Sequence, residues 1–310
     1  MPRQASRDTS RLQWGSRSES PLLILAAIAF STASPLARSA TGLAPVGVAV
    51  GRTAVAAGAI VIARPRQVLS ALRGLAHRQR LALSGAGLLL AGHFALFLQG
   101  LASTSFPAAV SLVSLEPLAV VLVAWAAFGI RPRRGEWVGV VVATLGALVV
   151  ASGAGKGEHR LAGDAEVLVA VVLFGCYVAA ARGLRDAMAP LPYAAGVYGV
   201  AAVALAPLAL LLVIRAPAPP AATWVAVLLL GFIPTLFGHT LLQSAARRAS
   251  PSLVALVCPG ETVGSLVLGM LLLSAWPTLV EGIGAALVLL GATVAILVQP
   301  PSVAESVLRE

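Results

Sequence analysis

Charged residues are scarce in this 310-residue chain, since Asp, Glu, Lys and Arg together make up 11% of it. A soluble domain would need roughly a quarter of its residues charged to cover its surface. Hydrophobic residues instead account for 58%, and the mean hydropathy is +0.92. The shortage of charge argues against a soluble domain and favours a chain that lies in lipid.

Cysteine is almost absent. Cys176 and Cys258 are the only two, and both lie in apolar runs, where neither a disulfide framework nor a metal site is expected. We predict no metal and no cofactor. A pI near 11.3 could indicate nucleic-acid binding, but the basic residues are scattered through short connections and form no basic face. No nucleic-acid partner is expected.

Long apolar runs dominate the remainder of the chain. Each is long enough to cross a hydrocarbon layer about 30 Å thick, and helices are required because lipid cannot satisfy backbone polar groups. The runs do not alternate apolar and polar residues, which excludes a β-barrel. We predict an all-α membrane protein of about ten transmembrane helices, at about 21–40, 44–63, 81–100, 106–129, 136–153, 163–181, 192–214, 222–243, 251–273 and 280–298.

The distribution of basic residues predicts an orientation. If the N-terminus is cytoplasmic, 17 of the 22 Lys and Arg residues fall in cytoplasmic segments and four fall outside. Basic residues are enriched on the cytoplasmic side of membrane proteins. The terminal tails, 1–20 and 299–310, are therefore both predicted to be cytoplasmic.

A weak internal repeat recurs at a spacing near 145 residues. It pairs Glu116 with Glu261, Glu136 with Glu281, Gly139 with Gly284, Gly146 with Gly291 and, after a one-residue gap, Gly92-His93 with Gly238-His239. We predict two five-helix repeats, at 21–153 and 163–298. Because five is odd, the second repeat enters the membrane inverted, and inverted repeats are typical of secondary transporters with a substrate site near the midplane.

Two acids occupy matching places inside this repeat. Glu116 precedes Pro117, which is expected to kink or open the fourth helix, and Glu261 follows the breaker Pro259-Gly260 in the ninth. An acid inside the membrane costs roughly 2.5–3.5 kcal/mol on insertion scales and normally faces a bundle interior or a watery cavity. Both are candidate sites for a substrate amine or a proton, and a structural ion pair is the alternative.

Six further polar residues inside the spans are candidates. Arg52 would bind a substrate carboxylate or pair with Glu116. His93 and His239 would relay protons or line a cavity, and the alternative for them is interhelical hydrogen bonding. The same alternative applies more strongly to Gln99, Gln243 and Tyr177.

Small residues form a face on the fifth and tenth helices. Gly139, Ala143 and Gly146 share one such face, and Gly284 and Gly291 share the other. Small faces let helices approach closely in lipid. They predict close packing, either within the chain or between two copies in a homodimer.

Several segments carry a family resemblance in their order along the chain: FSTASPLAR, PVGVAVGR, GHFALFLQGLASTSFPAAVSLVSLEPL, LAGDAEVLVAVVLFGCYVAAAR, IPTLFGHTLLQSAARRASPSLVALVCPGETVG and EGIGAALVLLGATVAIL. Over residues 20–298 they resemble the ten-helix EamA branch of the drug/metabolite transporter superfamily. The resemblance implies export or exchange of small polar metabolites, amino acids or drugs, coupled to protons or to a counter-substrate. It also implies that the third, fourth, eighth and ninth helices form the cavity walls.

The chain departs from the family pattern in two places. The family often has Gly-Glu at the ends of the fourth and ninth helices, where this chain has Gly129-Ile130 and Ser274-Ala275. The Glu-Pro usual in the ninth helix is replaced by Glu261-Thr262. These differences leave the substrate open.

The expected function is secondary transport of a small molecule. The Arg-rich, Lys-poor composition is typical of a high-GC bacterium, so the expected location is a bacterial cytoplasmic membrane. No enzymatic activity is expected, since a Gly-x-Ser-x-Gly nucleophile pattern and an HExxH pattern are both missing. A transport-inactive scaffold or sensor, or an intramembrane enzyme, are the alternatives.

Overall fold

The computed structural model describes residues 20–128, 134–181, 184, 187–214, 217–238, 241 and 257–297. Every regular element in these ranges is a helix. In chain order they are α1 (Ser20–Ser31), α2 (Ala33–Ser39), α3 (Pro45–Ala63), α4 (Pro65–Arg73), α5 (His77–Ser103), α6 (Phe106–Val113), α7 (Glu116–Phe128), α8 (Arg134–Ser152), α9 (Leu161–Ala181), α10 (Pro190–Val213), α11 (Ala221–Leu230), a π-helical segment (Gly231–Gly238), α12 (Val257–Leu273) and α13 (Leu279–Leu297).

Most of these helices could cross a membrane. Within the described residues, eight helices are long and apolar enough to do so, and two shorter apolar ones lie at Val257–Leu273 and Leu279–Val294. The predicted all-helical fold is confirmed for the described chain. The count of ten spans and the orientation of the termini stay predictions.

Proline breaks the first span. Thr32 separates α1 from α2, and Pro35 has no N–H to give to the carbonyl of Ser31, four residues earlier. The hydroxyl of Ser265 on α12 donates to that carbonyl at 3.0 Å. The break therefore supplies a polar contact between the first and ninth predicted spans.

The fourth span breaks beside Glu116, as Pro117 predicts. Helix α6 ends at Val113, and the N–H groups of Ser114 and Leu115 turn back to carbonyls only three residues earlier. Helix α7 then begins at Glu116. The Ser114 hydroxyl lies 2.8 Å from that of Thr262 on α12, so the break is held against the helix that carries Glu261.

The corresponding break predicted in the ninth span is not found in the described residues. Helix α12 runs without interruption from Val257, and Pro259 lies in its first turn. A proline frees the carbonyl four residues before it, and residues 242–256 lie outside the described residues. The break predicted beside Glu261 therefore stays a prediction.

The eighth span changes to a π-helix at Gly231. Pro234 cannot donate to the carbonyl of Leu230, and the hydroxyl of Thr235 donates to it instead, at 2.7 Å. The proline thereby fixes the Thr235 side chain at a defined place inside the bundle.

Helices α8 and α13 pack through their small faces. A Cβ on Gly146 would lie 2.6 Å from the backbone nitrogen of Val288, and one on Gly291 would lie 2.4 Å from that of Ala143. Only glycine allows this approach. The two predicted small faces thus meet each other within one chain.

The connection between the second and third spans contains a helix that the sequence did not predict. Helix α4 carries exposed Arg66 and Arg73 and buries Val68. Helix α5 then begins at His77, four residues before its predicted start.

Candidate functional site

Four buried or half-buried ionisable side chains meet between helices of both halves. Arg52 comes from α3, His93 from α5, Glu116 from the start of α7 and Glu261 from α12. At 1.5 Å per residue they lie about 10–18 Å from the helix ends at Pro45, Ser103, Phe106 and Leu273. This depth places the four, here called the central cluster, well inside the apolar bundle.

Glu116 lies at the N-terminus of a half-helix. The break after α6 makes it the first residue of α7, where the unpaired N–H groups of the helix favour a negative charge. Its Oε1 lies 3.8 Å from Nε2 of His93. The break thus turns the carboxylate toward the histidine of the neighbouring span.

His93 is fixed by a backbone hydrogen bond and by aromatic rings. Its Nδ1 lies 2.9 Å from the carbonyl oxygen of Ala170. That oxygen can only accept, so Nδ1 carries a proton. In the neutral ring Nε2 then turns its lone pair toward Glu116. One added proton, on His93 or on Glu116, makes the contact between them attractive. Phe94, Phe97 and Phe174 surround the ring, with Phe97 stacked at a centroid distance of 6.1 Å.

Arg52 is held away from Glu116. Its Nε donates to the Thr235 hydroxyl at 3.1 Å, and its guanidinium carbon lies 4.2 Å from the centroid of the Phe94 ring. The side chain is 3% exposed. Hydrogen bonding and cation–π contact therefore orient the arginine from two sides.

Glu261 completes the cluster electrostatically. It is attracted by Arg52, whereas Glu116 and Glu261 repel each other. Glu116 faces His93, so each acid has a different basic neighbour. Two acids, one arginine and one histidine give the cluster groups of the kinds that can bind a proton or a cationic group.

The EamA-like transporter family model matches this chain twice, at residues 18–152 and 161–297. Together these ranges cover most of the 310 residues. The chain belongs to the EamA-like transporter family. It is accordingly a multi-pass membrane protein of the drug/metabolite transporter superfamily.

Solved structures share the fold of this EamA-like protein. Seventeen chains match it, among them a crystal structure with a TM-score of 0.65 and 22% sequence identity, covering 90% of this chain and 96% of the other. At that identity the likeness concerns the fold alone. A search of curated proteins finds no match.

The remaining predicted site residues of the EamA-like protein have varied positions. Tyr177 is buried, with its ring centroid 6.1 Å from that of Phe174, so it borders the aromatic shell of His93. Gln99 is exposed and donates to the Ser103 hydroxyl of its own helix at 3.1 Å, so the structure does not bring it to the cluster. His239 and Gln243 lie outside the described residues.

Sequence reasoning missed the side chains that orient the ionisable ones. The Thr235 hydroxyl accepts a hydrogen bond from Arg52, and the Tyr198 hydroxyl donates to the Thr235 carbonyl at 3.4 Å. The available signal was the pair Pro234-Thr235, since a hydroxyl beside a helix proline can reach the carbonyl that the proline leaves free. In the described part of the chain no group of three His, Cys, Asp or Glu side chains is arranged to hold a metal ion.

Proposed function

We propose that this EamA-like protein is a secondary transporter that exports or exchanges small metabolites, amino acids or drugs across a bacterial cytoplasmic membrane by alternating access, with proton coupling. Its ten spans form two inverted five-helix repeats, and both termini are cytoplasmic. The central cluster is the substrate and proton site.

The observation that carries the proposal is that two acids lie inside the bundle with different basic neighbours, Glu116 with His93 and Glu261 with Arg52. One acid comes from each matched stretch of the family; Glu116 is buried and Glu261 is half-buried. Glu116 and Glu261 carry two negative charges and Arg52 carries one positive charge, so one negative charge has no fixed basic partner if His93 is neutral. A proton or a substrate amine can supply that missing positive charge, but not both at once.

This competition is the proposed origin of coupling. Binding of the amine displaces the proton, and release of the amine allows the proton to return, because an uncompensated buried charge is costly. The aromatic rings around His93 add apolar surface for the substrate body. The interruptions at Thr32, Ser114-Leu115 and the π-helical segment give the spans around the cluster places to bend.

Transport in proteoliposomes tests the proposal. Purified protein is reconstituted into liposomes that are loaded with unlabelled metabolites or drugs. Counterflow of the labelled compound is then measured with and without a pH gradient. Glu116→Gln should lower the flux by about tenfold or more, because the variant lacks the carboxylate. A tenfold loss corresponds to about 1.4 kcal/mol in the free energy of the transport barrier. The matched control Glu158→Gln changes a carboxylate whose side chain is 78% exposed and should transport normally.

Two results would reject transport. Absence of flux across the whole panel by folded protein would favour the scaffold or sensor, and recovery of a chemically altered substrate would favour an enzyme. Equal flux in Glu116→Gln and in the unmodified protein would remove Glu116 from the site.

A further inference from the structure

A second buried ionisable group lies near one set of helix ends. His159 belongs to the connection between α8 and α9, Asp164 to the first turn of α9, and Glu281 to the first turn of α13. Their side chains are only 3%, 1% and 3% exposed. Ala170, which contacts His93, lies about 9 Å further along α9 than Asp164, so this group is separate from the central cluster.

Both nitrogens of the His159 ring face carboxylate oxygens. Nε2 lies 2.7 Å from Oδ2 of Asp164, and Nδ1 lies 3.4 Å from Oε1 of Glu281. Nδ1 is buried and makes no hydrogen bond. A Cβ on Gly153 would come 3.1 Å from Nδ1, so the glycine leaves the ring its place between the two acids.

Neutral donors occupy the other positions of the two carboxylates. Thr104 donates its hydroxyl to Oδ1 of Asp164 at 2.9 Å. Ser105 donates its hydroxyl to Glu281, and the Thr278 N–H and hydroxyl donate to Oε2 of Glu281 at 2.8 and 2.9 Å. These donors orient the carboxylates without neutralising them.

The surrounding cations are engaged elsewhere. Arg38 of α2 pairs with Glu158 at 2.8 Å, and Arg160 donates to the carbonyls of Gly157 and His159. In the part of the chain that the structure describes, no Lys or Arg forms an ion pair with Asp164 or Glu281. The other titratable side chains of the connection and of the start of α9 are Lys156, which is exposed, and Glu166.

We propose that His159, Asp164 and Glu281 form a proton-binding site in which His159 is an imidazolium bridging the two carboxylates. A neutral imidazole has one N–H, so its other nitrogen would turn a lone pair toward a carboxylate oxygen. One added proton makes both contacts attractive and compensates a charge that burial would otherwise penalise. Among the described residues, His159 is the group in contact with both acids that can supply this charge.

The site ties together segments from both matched stretches of the family. Thr104 and Ser105 belong to the first stretch, and Asp164 and Glu281 belong to the second. Loss of the proton leaves two buried carboxylates around a neutral ring. In the predicted topology this end of the bundle faces outward, so the proton holds the outer ends of the helices together.

Nitrogen NMR of histidine-labelled protein tests the site directly. The chain has four histidines, so the spectrum of full-length protein in nanodiscs is simple, and His159→Gln identifies the signals that belong to His159. Both ring nitrogens should give the imidazolium signature at pH 7. A signal pair of a neutral tautomer at pH 7 would overturn the proposal.

Thermal unfolding provides a second readout that does not require transport. His159→Gln removes the charge that bridges two buried carboxylates, so it should lower the stability of the protein. The melting temperature of His159→Gln at pH 7 should lie about 3 °C or more below that of the unmodified protein. The control His77→Gln, which changes an exposed histidine, should match the unmodified protein.

Glu281→Gln keeps the proposal testable if His159→Gln fails to fold. This variant removes one of the two acids, so the NMR signature of His159 should change to a neutral ring at a lower pH than in the unmodified protein. An unchanged titration of His159 in Glu281→Gln would contradict the bridging role. If flux is absent in proteoliposomes while His159 gives the imidazolium signature, the transport proposal is rejected and the proton-site proposal is not.

Discussion

At the residue scale, Ser274 shows how one departure from the family pattern is accommodated. It has a φ of 52°, in the left-handed region that costs a residue with a side chain roughly 1–2 kcal/mol. A residue in this conformation directly after a helix is normally glycine, and the next N–H, that of Ala275, donates back to the carbonyl of Gly269, six residues earlier, at 3.1 Å. Serine therefore occupies a glycine position at the end of α12.

We expect Ser274→Gly to stabilise the protein by about 1 kcal/mol, because glycine adopts this conformation without steric cost. The measurement is the melting temperature in detergent or nanodiscs. Ser70→Gly, in the interior of α4, should instead destabilise by about 0.5–1 kcal/mol. A lower melting temperature for Ser274→Gly would show that the serine side chain stabilises the turn.

Arg52 illustrates what residue identity alone predicted. A lone arginine in an apolar run had to be paired or hydrogen-bonded, and the structure shows that it is. Its hydrogen-bond partner is Thr235, 183 residues away in sequence, and no local pattern connects the two. The ionisable members of the central cluster were thus predictable by type, whereas the contacts between them were not.

At the element scale, glycine decides how closely α8 and α13 approach. A Cβ on Gly291 would lie 2.4 Å from the nitrogen of Ala143 and 2.6 Å from the carbonyl oxygen of Gly139. Backbone atoms cannot move aside as a flexible side chain can. The contact therefore depends on the absence of a side chain at this position.

Gly291→Ala should destabilise the protein by about 1–3 kcal/mol, the usual cost of overpacking. Gly282→Ala, in the same helix but with nothing within 4 Å of the added Cβ, should be neutral or slightly stabilising, because alanine favours the helix. Melting temperatures of the two variants decide the matter. Equal effects would show that the interface relaxes to accept the methyl group.

The breaks in the spans divide into those that the sequence predicted and those that it did not. Pro117 predicted the break beside Glu116, because a proline inside a helix leaves a carbonyl free. The same reasoning applied to Pro259 stays a prediction, because the carbonyl four residues before it lies outside the described residues. The interruptions at Thr32 and in the π-helical segment were not predicted from the sequence.

At the scale of the whole molecule, the two matched stretches at 18–152 and 161–297 raise the question of orientation. Five spans in each would place the second stretch upside down relative to the first. The 17-to-4 distribution of Lys and Arg favours this arrangement, with both termini in the cytoplasm.

A reporter that is active only in the cytoplasm should be active when fused after Glu310. The same reporter inserted after Lys156, in the connection between α8 and α9, should be inactive, since this connection is predicted to lie outside. Complementary results are expected with a reporter that is active only outside. Activity of the outside reporter after Glu310 would contradict the predicted cytoplasmic C-terminus.

The sequence by itself determined that this chain is a helical membrane protein and which polar residues are unusual within its spans. Those conclusions follow from composition, run length and spacing, which are local or periodic properties. Only the tertiary structure decided that Glu116 faces His93, that Arg52 contacts Thr235, and that Asp164, His159 and Glu281 meet at one end of the bundle. Such contacts depend on how distant helices rotate and pack in three dimensions, and one-dimensional spacing does not contain that information.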